Sequence, residues 1–571
     1  MLLSKFFIIL TSLILSQPVV EQDTTTFIHP LKIPIVLSAS FAELRANHFH
    51  SGVDFKTQGV IGQEVVAPAD GYVYRIGVSP SGYGNALYIR HPSGVSTVYG
   101  HLDRFIPEIE EYVTEQQYEQ KSFSVSLFPP SNMFHFKQGD LIGYSGNSGG
   151  STGPHLHFEV RNSANEHAMD PLFFDIGTKD TRKPVVTNIA IYTMEDNSTV
   201  NGKYGRRLFN VEGDNGKYYI HPNTTITLHG RIGFGIKAYD LLNGANNKCG
   251  IRSIELYIDS VLHYKHTIDE FSFDETKYIN SHIDYDLYQR NNLYLDKLFV
   301  APNDQLSIYD ELIDDGTVTF NDNNTHSIEM KLFDSTGNTS ILSFKVKSDA
   351  ADPSDIPTDT DYTYMPYNET NVFRANNIYV SISSGTFYDN VKFKYDVTEG
   401  SPNMYSDLHH VHDIYTPVHK TYTLKIKPTS IPKGKVNKLI ITLLNGTRRY
   451  PVKTTYTSDG YLTAFPSDLG DFYVDIDTVA PKITPVTQIN GANLSGKKEM
   501  RIKITDNFSG ISSYSGYIDG EWALFEYDSK NAVLIYKFSK ARIQKSKQHT
   551  LNVKVKDVSN NESTYEASFY W

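Results

Sequence analysis

The chain has 571 residues, a length at which three or four domains are expected. Its formal net charge of −12 argues against nucleic acid as a partner. Its single cysteine, Cys249, rules out an intrachain disulfide, so the chain has to be stabilised without disulfide bonds.

The N-terminus predicts export. Met1–Lys5 is a short charged start, and residues 6–15 are apolar but too few to span a membrane comfortably. We therefore expect a signal peptide over residues 1–20. No later segment approaches membrane-spanning length, so no membrane span is expected after signal removal.

Two short motifs carry the chemistry. The first is His50-Ser51-Gly52-Val53-Asp54, and the second is His155-Leu156-His157, with His101 in the stretch between them. Together they offer two imidazoles and a carboxylate for one divalent cation, with two further histidines to act on a substrate. Catalytic zinc takes three such protein ligands and keeps one position open for water.

The sequence around the second motif predicts a loop followed by a strand. Residues 155–160 alternate polar and apolar, so His155, His157 and Glu159 share one face. Neighbours on that face lie roughly 6–7 Å apart, so one histidine should bind metal and the other should point at the substrate or the bound water. Glu159 is expected to support a ligand or the fold. Gly52 is expected to let the chain turn so that His50 and Asp54 converge.

Residues 38–54, Gly100-His101-Leu102 and residues 155–161 resemble the lysostaphin-like zinc endopeptidases, which are peptidoglycan hydrolases. The resemblance covers about residues 28–175 and is to the multidomain form of Bacteroidetes-type bacteria. It implies a predominantly β-sheet peptidase domain over residues 28–178. An insertion over about residues 106–134 departs from the shorter relatives and is expected to shape or cap the groove.

The resemblance also implies the roles of five residues. His50, Asp54 and His157 are the expected ligands of one Zn²⁺ ion, and His101 and His155 are the expected catalytic pair. All five are present, which favours an active enzyme. No His-Glu-x-x-His helix is present, so a glutamate base of the kind in that motif is not expected. The glycines between 139 and 153 are interpreted as tight turns along the floor of the groove.

The rest of the chain contains an internal repeat. Residues 180–185 recur as 477–482, residues 236–259 as 502–519, and residues 326–334 as 549–557. Alternating apolar residues that end in Asp, Gly and Asn turns are typical of antiparallel strands.

The expected fold class is therefore mainly β, with the antiparallel β-sheet peptidase domain followed by about three immunoglobulin-like β-sandwiches. We expect one with insertions over residues 181–348, a second over 362–476 and a third over 478–571. An acidic linker, residues 348–361, precedes the second of these. The cluster His409–Asp413 resembles a metal site by composition but is interpreted as a solvated loop.

The expected function is hydrolysis of peptide cross-links in peptidoglycan, with its stem peptides as substrate. We place the protein in the periplasm or cell envelope of a diderm bacterium. The sandwiches are interpreted as spacers or contacts for envelope proteins, in preference to carbohydrate binding. The alternative is a structural or regulatory envelope protein that binds peptide without cutting it. Both glycine bridges and direct D-amino-acid cross-links are open as the bond cleaved, and a diderm source favours the direct cross-link.

Overall fold

A computed structural model describes residues 27–349 and 360–571. The predicted signal peptide, residues 1–20, and residues 350–359 of the predicted linker lie outside these ranges. Within the described ranges, no helix is long and apolar enough to cross a membrane. The chain is mainly β, which confirms the predicted fold class.

An antiparallel sheet organises the N-terminal part. Its main path runs β1-β4-β13-β8-β7-β6-β10, and β5, β12 and β9 form a second, smaller sheet. The strands of this part are β1 (Leu37–Ala39), β2 (Leu44–Arg45), β3 (His48–Phe49), β4 (Val53–Lys56), β5 (Glu64–Val66), β6 (Gly71–Val78), β7 (Asn85–Arg90), β8 (Val95–Leu102), β9 (Arg104–Phe105), β10 (Val125–Leu127), β11 (His135–Phe136), β12 (Leu141–Tyr144), β13 (His155–Asn162) and β14 (Ala168–Met169).

Strand alternation places the core on one face of the main sheet. Leu156 and Phe158 of β13 are fully buried and pair with Phe55 and Val53 of β4. Burying side chains of this size stabilises the fold by about 1.5–3 kcal/mol each. The polar residues between them, His157 among them, are therefore directed to the opposite face.

The predicted insertion contains the longest helix of the described chain, α1 (Pro107–Gln120). Proline at the first position suits a helix start, and the left-handed conformation of Lys121 (φ 48°) ends it. Ile109, Val113 and Gln117 recur every four residues on one face and are buried. The insertion thus packs into the domain core, and its strand β10 extends the main sheet beyond β6.

The second part of the chain is built on the long strand β20. Its strands are β15 (Val185–Thr193), β16 (Thr199–Val200), β17 (Arg207–Asn210), β18 (Glu212–Asp214), β19 (Lys217–Tyr219), β20 (Thr227–Leu241), β21 (Lys248–Cys249), β22 (Ser253–Ile258), β23 (Val261–Thr267), β24 (Glu270–Phe271), β25 (Asp296–Lys297), β26 (Tyr309–Leu312), β27 (Val318–Phe320), β28 (Thr325–Phe333) and β29 (Thr339–Ser348). Two short helices, α2 (Ile279–His282) and α3 (Tyr285–Asn291), interrupt the strands.

The third part contains two five-stranded sheets that share one hydrophobic core. Its strands are β30 (Thr363–Met365), β31 (Asn371–Ala375), β32 (Ile378–Ile382), β33 (Val391–Phe393), β34 (Tyr395–Thr398), β35 (Leu408–Val411), β36 (Thr423–Ile426), β37 (Leu439–Asn445), β38 (Arg448–Val452), β39 (Thr454–Tyr456), β40 (Leu462–Ala464) and β41 (Gly470–Ile476).

The last part has a four-stranded and a five-stranded sheet around a core of its own. Its strands are β42 (Lys482–Pro485), β43 (Ala492–Asn493), β44 (Glu499–Thr505), β45 (Ile511–Ile518), β46 (Glu521–Trp522), β47 (Glu526–Asp528), β48 (Val533–Lys537), β49 (Gln548–Asp557) and β50 (Glu562–Tyr570). Single turns of 3-10 helix occur at Pro171–Phe174, Thr276–Tyr278, Asp314–Gly316 and Val436–Lys438.

The two copies of the sequence repeat have the same strand pairing. In the second part β15 pairs with β20, and β28 lies between β22 and β29. In the last part β42 pairs with β44, and β49 lies between β45 and β50. The repeated segments therefore occupy equivalent places in two related domains.

The N-terminal part contacts two other parts of the chain. Strand β14 pairs with β24 of the second part, and Phe41 and Phe49 pack with Phe271 in a shared apolar cluster. The hairpin tip between β47 and β48 reaches the loop 147–151, where the Lys530 ammonium group donates to the carbonyl oxygens of Asn147 and Ser151.

Candidate metal centre

Strand β13 lies at the centre of the site and carries His155 and His157. It lies between β4 and β8, and in this register His157 faces Asp54 on one side and Gly100 on the other. His50 follows directly after β3. Three segments that are distant in sequence therefore converge on one point of the polar sheet face: residues 48–56, β8 and β13.

Three of the predicted residues form a triangle of ligand atoms. His50 Nε2 lies 3.1 Å from Asp54 Oδ1 and 3.1 Å from His157 Nδ1, and His157 Nδ1 lies 2.9 Å from Asp54 Oδ1. Bonds of about 2.0–2.1 Å to a tetrahedral zinc separate neighbouring ligand atoms by roughly 3.3 Å. The triangle therefore has nearly the size of one face of a zinc tetrahedron.

The second nitrogen of each histidine in the triangle has its own partner. His50 Nδ1 lies 2.7 Å from the Ser40 carbonyl oxygen, and His157 Nε2 lies 2.8 Å from Glu159 Oε1. A neutral imidazole that donates from these atoms keeps its lone pair on the nitrogen that faces the triangle. Metal-binding histidines are commonly oriented in this way, so the donor set fits a zinc ion.

Glu159 lies at the centre of a buried network behind His157. It is fully buried and accepts hydrogen bonds from Ser51 Oγ (2.6 Å), Tyr83 OH (2.6 Å) and Arg161 Nε (2.7 Å). Burial opposes its ionisation, but the Arg161 charge and the hydrogen bond from His157 outweigh this and hold the pKa of Glu159 well below its usual range. The carboxylate therefore supports a ligand, in line with the sequence interpretation.

Asp54 supplies the negative charge of the triangle. Burial alone would raise its pKa, but the adjacent His50 and His157 rings lower the pKa well below its usual value. Arg45 approaches the other carboxylate oxygen at 4.0 Å. Asp54 is therefore ionised and available as an oxygen ligand at neutral pH.

The two predicted catalytic histidines lie beside this triangle. Their ring centroids are 4.7 Å apart, and His155 Nε2 lies 3.6 Å from Asp54 Oδ1. His101 Nδ1 lies 2.9 Å from the Ser148 carbonyl oxygen, and His155 Nδ1 lies 2.8 Å from that of Gly153. Donation from both Nδ1 atoms leaves the Nε2 atoms as acceptors. Burial, followed by the neighbouring histidines, lowers the pKa of His101 to about 3, so its ring is neutral.

The backbone at His101 explains how its side chain reaches the site. In a regular strand His101 would share the core face with Tyr99, because side chains alternate. Its φ of 59° is left-handed, a conformation uncommon outside glycine. The left-handed residue redirects the imidazole toward His155 and His157.

Two glycines near the site, Gly52 and Gly149, allow neighbouring backbone segments to approach closely. Gly52 does not have a positive φ, and a Cβ there would collide with the Phe158 carbonyl oxygen of β13. Gly149 is left-handed (φ +69°), and a Cβ there would collide with the backbone of Gly84. Gly52 lies at a bend and Gly149 in a turn, as predicted, and both also allow neighbouring backbone segments to approach closely. The placement of these glycines along the floor of a groove stays a prediction.

Four supporting residues escaped the sequence reasoning. Arg161 continues the alternation of His157 and Glu159 along β13, so strand periodicity could have identified it. Ser51, Tyr83 and the Ser40 carbonyl come from other segments, and nothing in their local sequence marks them.

The interpretation of His409–Asp413 as a solvated loop is wrong. Leu408–Val411 form strand β35, and His409 is fully buried with its Nδ1 2.9 Å from Tyr395 OH. Within the described ranges, these histidines are not part of a group with metal-binding spacing.

Comparison with known proteins agrees with this geometry. The model of Peptidase family M23 matches residues 48–118 and 132–171, and that of the Zu5-like domain matches residues 362–477. An uncharacterized metalloprotease of Haemophilus influenzae is 34% identical over 123 residues, 22% of this chain and 20% of that protein. The DD-carboxypeptidase/endopeptidase Mpg of Neisseria meningitidis is 37% identical over 112 residues, 20% of each protein.

Among solved structures, the catalytic domain of the antimicrobial peptidase lysostaphin from Staphylococcus simulans is 28% identical. The match covers 24% of this chain and 91% of that one, with a TM-score of 0.19. This chain spans about a fifth of the length of the two curated relatives.

Proposed function

We propose that this chain, whose residues 48–118 and 132–171 form a lysostaphin-like metallopeptidase domain of family M23, is a zinc endopeptidase that cleaves peptide cross-links of bacterial peptidoglycan. The observation that carries the proposal is the triangle of His50, Asp54 and His157, in which the outer nitrogen of each histidine is already held. The name of the Neisseria relative, DD-carboxypeptidase/endopeptidase, supports wall peptides as the substrate class.

Zinc bound by these ligands would polarise a peptide carbonyl and lower the pKa of a bound water toward about 7. The His101 and His155 rings lie side by side next to the triangle, and each Nδ1 atom contacts a backbone carbonyl oxygen. The Nε2 atom of one ring would accept the proton of the attacking water and deliver it to the leaving amine, and the other ring, protonated from solvent, would stabilise the oxyanion. The geometry accommodates either assignment of the two roles.

The buried network maintains the ligand geometry through the reaction. Glu159 fixes His157 in the tautomer that leaves Nδ1 unprotonated, and the Ser40 carbonyl does the same for Nε2 of His50. A ligand set that is oriented in advance loses little conformational freedom when it binds metal or substrate. His101 and His155 can therefore act in proton transfer without disturbing the ligands.

The other domains would support the peptidase. Residues 28–178 form the peptidase, and residues 181–348, 362–476 and 478–571 form immunoglobulin-like β-sandwiches that act as spacers or contact envelope proteins. The separate hydrophobic cores of the last two support this division. The exported protein would act on stem peptides in the periplasm or cell envelope of a diderm bacterium.

The test is digestion of purified sacculi by the zinc-loaded chain. We expect new free amines and a change in the muropeptide pattern by mass spectrometry, which also identifies the bond cleaved. His155→Ala or His101→Ala should keep zinc and lower turnover by about 10²–10⁴-fold. His157→Ala should lose zinc and activity together.

His48→Ala is the matched control, because His48 is exposed, lies two residues from a ligand and bonds only the Ala46 carbonyl. It should retain both zinc and activity. Full zinc occupancy in the His157 variant would refute the ligand assignment. Zinc-loaded protein that binds sacculi but releases no amines would instead favour the regulatory, peptide-binding alternative.

A further inference from the structure

A second group of acidic side chains lies far from the peptidase site. Carboxylate oxygens of Asp180, Asp240 and Asp334 all lie within 4.8 Å of one another. Asp180 precedes β15, Asp240 is near the end of β20, and Asp334 follows β28. Three separate segments of the second domain thus bring their carboxylates to one point.

The last domain repeats this arrangement. Asp477, Asp506 and Asp557 also have carboxylate oxygens within 4.8 Å of one another. Asp477 precedes β42, Asp506 follows β44, and Asp557 ends β49. These are the positions that correspond to the first triplet in the sequence repeat.

An asparagine at the equivalent position of each repeat contacts each triplet. Asn338 Nδ2 donates to Asp334 Oδ2 (2.8 Å) and to the Asp180 carbonyl oxygen (3.4 Å). Asn561 Nδ2 donates to Asp557 Oδ2 (2.7 Å) and to the Asp477 carbonyl oxygen (3.1 Å). The two copies therefore have the same geometry as well as the same residues.

Each triplet contains one buried carboxylate oxygen that has no hydrogen-bond partner among the described residues. Asp240 is only 2% exposed, and its Oδ1 atom has no hydrogen-bond partner among the described residues. At the equivalent position of the last domain, Asp506 Oδ1 is buried and lacks a partner within the same ranges. A buried carboxylate oxygen without a partner is costly and calls for a cation or a proton.

Basic side chains do not account for the charge of both triplets. Arg182 lies near the first, but its Nη1 atom donates to the Ala245 carbonyl oxygen at 2.8 Å. The residue that corresponds to Arg182 in the last domain is Val479. Burial and then the neighbouring Asp334 raise the pKa of Asp240 to about 7, the expected result of crowding like charges.

We propose that each Asp triplet binds one divalent cation of the hard, oxygen-preferring class, with Ca²⁺ as the physiological ion. Ca²⁺ accepts six to eight oxygen ligands in flexible geometry, and carboxylates are its preferred protein ligands. The donor set contains no imidazole or thiolate, which distinguishes it from the zinc site in the peptidase domain.

The position of the triplets indicates what the cation does. The amide of Asp477 donates to the Lys438 carbonyl of the third domain at 2.9 Å. Beside Asp240, Leu242 and Cys249 belong to the hydrophobic core of the peptidase domain. Each cation therefore joins the residue that immediately precedes a domain to two strand ends of that domain, at the junction with a neighbouring domain, and stiffens that junction.

The test uses the full chain with zinc restored after treatment with a chelator. Calorimetric titration with CaCl₂ should give two sites per chain, and the melting temperature should rise with Ca²⁺. Asp240→Asn and Asp506→Asn should each reduce the number of sites by one, and the double variant should bind no Ca²⁺. Zinc content should be unchanged in all of them.

Asp259→Asn and Asp519→Asn are the matched controls. These residues are also equivalent in the repeat, but their carboxylates bond Ser327 and Thr550 amides outside the triplets. Both controls should keep two Ca²⁺ sites. The proposal is overturned if the wild-type chain shows neither heat nor a change in melting temperature up to about 10 mM Ca²⁺, a concentration above the range of weak extracellular sites. It is equally overturned if the double variant binds as the wild type does.

Discussion

At the scale of single residues, the site depends on histidines in which one of the two ring nitrogens contacts an oxygen atom of the protein. His50, His157, His101 and His155 each have one ring nitrogen on a carbonyl or carboxylate oxygen, so the other nitrogen is directed to the centre. Glu159 has the most partners of the supporting residues, because it joins His157 to Arg161, Ser51 and Tyr83. The orientation of His157, a predicted ligand, therefore depends on a buried carboxylate outside the triangle.

This dependence predicts the effect of Glu159→Gln. The amide keeps the shape but leaves Arg161 without its buried anion, so we expect the free energy of unfolding to fall by about 3–5 kcal/mol. Zinc affinity should fall about 10–100-fold because His157 loses its anchor. Urea unfolding and zinc competition against a chelator measure the two effects.

Glu166→Gln provides the comparison. Glu166 also approaches Arg161, at 3.7 Å, but its side chain is 41% exposed. Its replacement should change the free energy of unfolding by less than about 1 kcal/mol, as for an exposed ion pair. Equal effects of the two substitutions would argue against Glu159 as the anchor of His157.

At the scale of strands and loops, part of the site could be predicted from the sequence. Alternation along β13 placed His155, His157 and Glu159 together, and the family resemblance supplied the roles of the five site residues, which stay predictions until tested. Alternation would have failed for His101, because its left-handed backbone departs from the strand pattern. The Ser40 and Ser148 carbonyls could not be predicted, because backbone contacts between distant loops leave no mark on residue type.

The mainly β architecture could also be predicted from the sequence, because the alternation of apolar and polar residues along a strand depends only on neighbours in the chain. Helix α1 was missed because the insertion was identified by its departure from shorter relatives and by composition, without a test of helical spacing. The pairing of β14 with β24 joins segments about a hundred residues apart. Such contacts depend on the relative placement of domains, on which local sequence patterns carry no information.

The contact between β4 and β13 makes a prediction at this scale. Gly52→Ala would place a methyl group against the Phe158 carbonyl oxygen and the Glu159 side chain, and the two strands would have to separate. We expect a loss of about 1–3 kcal/mol in the free energy of unfolding, together with weaker zinc binding. Thermal melting and zinc content are the measurements.

Gly77→Ala is the control within the same sheet. A Cβ at Gly77 would meet only Ala86 and Tyr88, both at 3.9 Å, which is an ordinary contact. This variant should keep its melting temperature and its zinc. If Gly52→Ala melts like the wild type, then the close approach of the two strands is not needed for the site.

At the scale of the whole molecule, the last domain touches the loop that contacts both predicted catalytic histidines. Lys530 binds the carbonyls of Asn147 and Ser151, and the residues between these two include Ser148, whose carbonyl faces His101. Ser151 Oγ lies 3.2 Å from His155 Nδ1. A side chain nearly 400 residues away in sequence therefore contacts the loop that borders the predicted active site.

Lys530→Ala should consequently reduce kcat and leave zinc content unchanged. A small displacement of positioned groups can cost up to about 100-fold in rate, so we expect a loss within that range and little change in KM. Lys540→Ala, at an exposed position of the same domain, is the control and should retain full kcat. A rise in rate for Lys530→Ala would mean that the hairpin tip obstructs the site instead of supporting it.

The pairing of β14 with β24 has a practical consequence for anyone who cuts this chain into pieces. A fragment that stops at residue 178 would lose the strand that covers Ala168–Met169 and would leave Phe41 and Phe49 without Phe271. Bare strand edges next to apolar patches invite self-association. Such a fragment should aggregate on expression, whereas one extended through residue 349 should stay monodisperse.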